Sequence, residues 1–375
     1  MEKATMASYV TVTVPTTDAL PPSILATVPP TVMVERATVL RYTVLKVTVV
    51  MTSAPFAVVL SPLNPSEPAA AVTVTVPMPP RSMARSAAIL ERIQTGLNAA
   101  DAAKSPDSLA GYLTGPAARV RAEEYAVAQA TGDDQKYIHT FITTSQMEAV
   151  GLTADFPRTA LVVTEPAAEG QAPYLLILTQ DDARSHYQLW GWAPLRLSQV
   201  PTTPGIKVGS ESVSADATGL VATPQEVLDA YLDALNNPTG ENGTAFADDL
   251  LRQKIASDRS IDLGGMGTMT VTAAAGSDGF KGLRTNANGA LVMTTVTFSS
   301  VYRNTVARST INVTDPAIVK MLGDNASVVG TVTATYDAMV VFSIPSASEG
   351  GQSVVVGVDR TLSKAERDDS QAPTG

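Results

Sequence analysis

Hydrophobic and polar positions alternate with two periods, and the change from one period to the other occurs twice. Between Ser86 and Lys104, Ile89, Ile93 and Leu97 recur at helical spacing with Leu90 beside them, and the alanine-rich remainder favours helix. Ser105-Pro106-Asp107 starts a new helical turn with proline in the first position, and Leu109, Tyr112 and Leu113 share its apolar side. A further helix over Gly115–Ala130 carries Val120, Tyr125 and Val127 and stops at Gly132. Strands are expected at about 139–150, 158–165, 173–180 and 185–198, the last two joined as a hairpin by Gln180–Arg184. The second pass opens on Thr223-Pro224-Gln225-Glu226, a capping box with proline at its start. Val227, Leu228, Tyr231 and Leu235 form its stripe, and Phe246–Ala256 continues as helix. Strands follow at about 268–275, 290–302, 305–313, 327–343 and 352–362, with a tight turn at Asn288-Gly289 and a short helix over Asp315–Gly323.

Helices followed by antiparallel strands, twice over, predict an α+β protein of two tandem modules, 83–205 and 215–366, each with its own core. The linker from Pro201 to Asp216 has few apolar residues to couple them. Trp190 and Trp192, the two tryptophans, flank Gly191 on one strand, and a helix-covered sheet is expected to bury at least one of them. Residues 367–375 read as a disordered tail.

The first 82 residues differ in kind. Val, Thr and Pro make up about half of residues 1–80, glycine is absent before Gly96, and Val-Thr-Val-Thr-Val-Pro stands at both 10–15 and 72–77. Repeated prolines interrupt the strand-like alternation, and without glycine few positive-φ turns are available. Three readings stand: an extended linker-like stalk, a mis-translated extension ahead of a start near Met83, or a small β domain.

Composition narrows the function by exclusion. The formal net charge of −10 disfavours nucleic acid and anionic membrane surfaces. There is no cysteine, hence no thiolate nucleophile and no cysteine metal site. No run approaches the ~20 apolar residues of a membrane span.

No residue pattern identifies a catalytic, cofactor or metal site. A Ser-His-Asp arrangement would need His139 or His186, the two histidines, and neither lies in a local catalytic signature. His186 alternates onto one strand face with Gln188, Trp190 and Trp192, a face suited to packing or to a pocket. Asp181-Asp182 is explained by turn chemistry, and Glu123-Glu124 and Asp248-Asp249 by exposed helix faces. Asp278-Gly279 and Asn286–Gly289 lack the register and closing glutamate of a calcium loop, and Gly264-Gly265-Met266-Gly267 lacks the lysine of a phosphate loop.

Helices preceding a strongly bent sheet resemble the NTF2-like cone, a fold that hosts enzymes and binders alike. Thr114–Ala126, Phe156–Thr164 and Tyr187–Ala193 resemble segments of an uncharacterised family of exported actinobacterial lipoproteins, over about residues 85–365. That resemblance implies an extracytoplasmic place in the cell envelope. The family's signal sequence and lipidated cysteine have no counterpart in this sequence. The expectation is a non-enzymatic cell-envelope protein that binds a protein or small-molecule partner, or scaffolds, through two modules, with no cofactor. The alternative is an enzyme whose cone pocket takes a small apolar substrate, with His139 or His186 as base beside a carboxylate. A histidine within hydrogen-bond reach of an acid in an open pocket would favour the alternative.

Overall fold

The computed structural model describes residues 9–14, 32–39, 42–49, 81–153, 155–195 and 201–374, and the chain divides into two compact units, Met1–Arg81 and Ser82–Gly375. In the first unit, β1 (Tyr9–Val14), β2 (Val32–Val39) and β3 (Tyr42–Val49) form an antiparallel sheet with β3 in the middle. Much of the 1–82 segment lies outside the described residues.

The second unit is α+β. Helices α1 (Arg81–Ala103), α2 (Gly115–Thr131) and α3 (Asp134–Tyr137) precede β4 (Ser145–Val150), β5 (Arg158–Thr164), β6 (Tyr174–Gln180) and β7 (Gln188–Pro194), an antiparallel meander. Then come α4 (Pro224–Asn236), α5 (Glu241–Ala245), α6 (Leu250–Arg259), β8 (Gly267–Ala275), β9 (Lys281–Arg284), β10 (Ala290–Asn304), β11 (Ile311–Asn312), α7 (Pro316–Met321), β12 (Ser327–Val328), β13 (Thr331–Ile344) and β14 (Val354–Asp368). The second sheet runs β14-β13-β10-β8, with β9 also on β10. The capping box at α4 forms as expected, between the Thr223 and Glu226 side chains and each other's backbone N–H.

The two halves do not have independent cores. Along β10, Val292 points into the core beneath α4 and α6, whereas Leu291 and Met293 point the other way, into the core of the first half. Along β13, Val340 and Phe342 oppose Met339 and Val341 in the same manner. Leu283 and Val356 join the first core too. The second sheet is therefore buried on both faces, which is why Leu291-Val292-Met293 and Ala338–Phe342 read as unbroken apolar runs. Six side chains crossing the boundary at about 1.5–3 kcal/mol each amount to roughly 9–18 kcal/mol, at least comparable with the whole stability of a domain. Gly191 is needed at the contact, because a Cβ there would lie 2.4 Å from the Met293 sulfur.

The linker also couples rather than separates. Ser210 N–H donates to Val150 O (2.9 Å) and Val213 N–H to Gly282 O (3.0 Å), so the chain between the modules joins the end of β4 to β9. Its few apolar residues concealed this, because the coupling is through the backbone.

Several details differ from the sequence reading. The strand expected at 139–150 begins only at Ser145, the one expected at 305–313 is reduced to Ile311–Asn312, and residues 246–249 lie outside any helix. A bulge opposite Ile177/Leu178 leaves Trp190 out of the β6–β7 ladder, yet both tryptophans are buried. Strand β14 pairs with β13 as far as Asp368, so the charged residues from Ser363 continue a strand. Lys364, Glu366 and Asp368 alternate outward on this edge, where charges keep other strands off.

Candidate functional site

Helix α2 organises the polar chemistry between the halves. Gly132, in the left-handed region at φ 74°, ends it by donating to Ala128 O. The helix presents Arg119 and Glu123 on one side and Arg121 and Glu124 on another, and each side meets an aspartate of the second sheet.

On the first side, Arg119 forms two hydrogen bonds with Asp278 (3.0 and 2.7 Å) and one with Asp337 of β13 (2.6 Å). Thr295 donates to Asp278 and Thr297 to Asp337. Burial would raise Asp278, but the bonds from Arg119 and Thr295 hold it below its ordinary value. Asp278 is thus an ion-pair partner rather than the start of a calcium loop.

Glu123 stands beside this cluster without a share in it: its Oε2 is buried and has no hydrogen-bond partner. Burial, reinforced by the charge of Asp337, pushes its carboxyl up to about 8. An acid raised in the fold stabilises fully below its unfolded value near 4.5, and that contribution is lost as pH rises through 8. Glu123→Gln is therefore expected to leave stability at pH 4 unchanged and to raise it by ~1–3 kcal/mol at pH 8. Denaturant melts at both pH values check this; an equal effect at the two would refute the assignment.

On the second side lies a buried network, in which Arg121 Nε and Nη2 have no hydrogen-bond partner among the described residues. His139 follows α3, in the segment leading to β4. Its Nδ1 is 2.8 Å from Glu124 Oε1 and 3.0 Å from Asp359 Oδ1 on β14. The other oxygen of each acid is also held: Arg121 donates to Glu124 Oε2 (2.7 Å), and the Trp192 indole N–H donates to Asp359 Oδ2 (2.5 Å). Arg121, wholly buried, also donates to His139 O and lies over the rings of Trp192 and Phe141. Burial alone would lower the imidazole, but its bonds to Asp359 and Glu124 outweigh this and push it up to about 10. Burial raises the Glu124 carboxyl, against the pull of Arg121 and His139.

Glu124, His139 and Asp359 offer three ligand atoms within 4.8 Å of one another, a residue set that divalent cations use. The donor chemistry fits an ion-pair network better. Both acids face one ring nitrogen at hydrogen-bond distance, and the fixed charge of Arg121 already sits on Glu124. Two cations balance two anions.

The imidazole is 35% exposed and borders an open cleft of about 650 Å³. Tyr137 and Tyr174 from the first half and Lys254, Pro316, Tyr336 and Arg360 from the second wall it. Since Nδ1 is spent within the network, Nε2 is the ring nitrogen left for the cleft.

Residues 78–367 match a family described as a domain of unknown function, DUF8094. The chain belongs to that family. No curated protein and no solved structure matches it. The region matched to DUF8094 spans both sheets, the network and the cleft.

The sequence candidates fare unequally. His139 lies at the centre of the network. His186 is exposed, away from the cleft, just ahead of β7. Asp182 is a turn residue, accepting from the Arg184 and Ser185 backbone N–H and the Ser185 hydroxyl, which hold its carboxyl low. The exposed-face reading of Glu123-Glu124 is overturned: Glu124 is fully buried and Glu123 largely so. Asp249 is buried too, capping α6 and accepting from the Tyr231 hydroxyl. Sequence reading missed Arg121, Trp192 and Asp359 as members of the site. The one available signal was Arg121 and Glu124 at i, i+3, on the side of α2 that also carries Tyr125. Among the described residues, no helix is long and apolar enough to cross a membrane.

Proposed function

We propose that the protein is a non-enzymatic binding protein of the cell envelope. Its two halves, each a variant of the NTF2-like helices-on-sheet module, would hold a partner in the cleft beside His139. The resemblance of residues 85–365 to exported actinobacterial lipoproteins supports an extracytoplasmic location. The observation that carries the binding reading is the double clamp on His139 Nδ1. A general base must give up its proton near the working pH. An imidazole between two carboxylates, pushed up to about 10, keeps its proton and serves as a fixed positive donor.

The enzymatic alternative has one observation in its favour, a histidine hydrogen-bonded to acids on an open cleft. Titration of the imidazole nitrogens by NMR separates the two. The binding reading expects His139 to stay protonated beyond pH 9. A His139 midpoint between 6 and 7.5 would overturn it in favour of a general base.

A further inference from the structure

In a chain of net charge −10, the cleft gathers Lys136, His139, Lys254 and Arg360 against Asp315 and Asp359. Most of these charges are already matched. Asp258 pairs with Lys254, and His139 is held within its network. Asp315 caps α7, accepting from the Ala317 and Ile318 backbone N–H. Arg360 has no hydrogen bond or ion pair among the described residues. Lys136 is exposed, bonds to the Tyr137 side chain and feels the charges of Asp315 and Asp133. Arg360 therefore faces the cleft without an acid, with Lys136 as a second exposed cation at its edge.

A second, independent feature points inward. Tyr336 is 4% exposed, its ring stacked on Phe298 at 4.6 Å and beneath the Lys254 ammonium. Its hydroxyl has no hydrogen-bond partner among the described residues and is not itself fully buried. A phenol otherwise engulfed by protein thus keeps its polar end open to the cleft. That hydroxyl is placed to bond a guest in the cleft. Among polar neighbours such as Gln253 and Thr361, the cleft also has an apolar part: Val358 and Leu362 of β14, with Leu250, 58% exposed, at the rim.

We propose that the cleft takes a small amphiphilic anion, a carboxylate or phosphate head on an aliphatic or aromatic body, with Arg360 and Lys136 attracting the head and Tyr336 offering its hydroxyl. This rests on the reading of the cleft as a binding site and adds the class of ligand. The unpaired Arg360, with the exposed Lys136 near it, sets the sign of the charge. The apolar lining calls for a body beyond an inorganic ion, and the volume lies within the range of small-molecule sites.

Calorimetry on the full chain tests it with octanoate, octyl phosphate, inorganic phosphate, octan-1-ol and octylamine. Octanoate or octyl phosphate should bind at least ~10-fold more tightly than the alcohol, the amine or phosphate, because a charge-assisted hydrogen bond is worth about that factor. Arg360→Gln should weaken the anions ~10-fold and leave the alcohol unchanged. Tyr336→Phe, which keeps the stacked ring, should weaken them several-fold, whereas Lys364→Gln, outside the cleft, should do nothing. Circular dichroism verifies that each variant is folded. If the alcohol or amine binds as tightly as the anions, the ligand class is wrong and the binding reading survives. If no probe binds, or binding is indifferent to both cleft substitutions, the site itself is refuted. Whether octanoate or octyl phosphate binds more tightly tells a carboxylate guest from a phosphate one.

Discussion

Trp192→Ala will lower the stability of the region after residue 82 by about 3–5 kcal/mol and will do so in one cooperative transition. The indole is wholly buried, 5.4 Å from the Phe141 ring and 5.0 Å beneath the Arg121 guanidinium. Its N–H donates to Asp359 on β14, so truncation removes ring packing in the first half and a hydrogen-bond donor from an acid of the second. Asp359 is 5% exposed and would keep an oxygen without its donor, which adds to the cavity cost. The effect must then spread to both sheets, because Leu291, Met293, Met339 and Val341 pack into the same core. Guanidinium unfolding followed by Trp190 fluorescence and by far-ultraviolet circular dichroism should give coincident midpoints, both lowered. A residual circular dichroism transition at the wild-type midpoint would mean that the second half folds alone, as the tandem reading of the sequence expects.

What could be read in the sequence follows from the range over which each signal acts. Caps and turns are local, so the Thr223–Glu226 box, the α7 cap at Asp315 and the Asn288-Gly289 turn are legible from a few residues. The strands β5, β6 and β10 are legible as well, because periodicity is fixed by the chain's own geometry. The short β9 is not: Lys281–Arg284 has one apolar side chain and owes its strand to pairing with β10. The site is illegible for the same reason in stronger form. Glu124, His139 and Asp359 are 15 and 220 residues apart in turn, and a glutamate on an amphipathic helix carries no mark of what will cover it. Continuous apolar runs in β10 and β13 were the clue that both faces of that sheet are buried.

The network makes the second large effect calculable in sign and rough size. Glu124→Gln will cost ~3–5 kcal/mol at pH 7, because removing one partner of a buried ionic set strands the rest. Arg121 and Glu124 are both fully buried, and the guanidinium would keep only the His139 carbonyl and a distant Asp101, 3.7 Å from its Nε. His139 would face Asp359 alone. The imidazole, raised from 6.5 to about 10, stabilises fully below pH 6.5, and that contribution is lost as pH climbs through 10. Wild-type stability should accordingly decline between pH 6.5 and 10. In Glu124→Gln the decline should be shallower and should end at lower pH, since one of the two acids that raise the imidazole is gone. His139→Gln should abolish this part of the slope, and the double variant should lose less than the sum of the singles, because the two side chains share one bond. Denaturant melts at several pH values measure all three. A loss below ~1 kcal/mol for Glu124→Gln at pH 7 would mean that the carboxyl is already neutral in the fold. The imidazolium would then rest on Asp359 alone, and the four-charge network would be wrong.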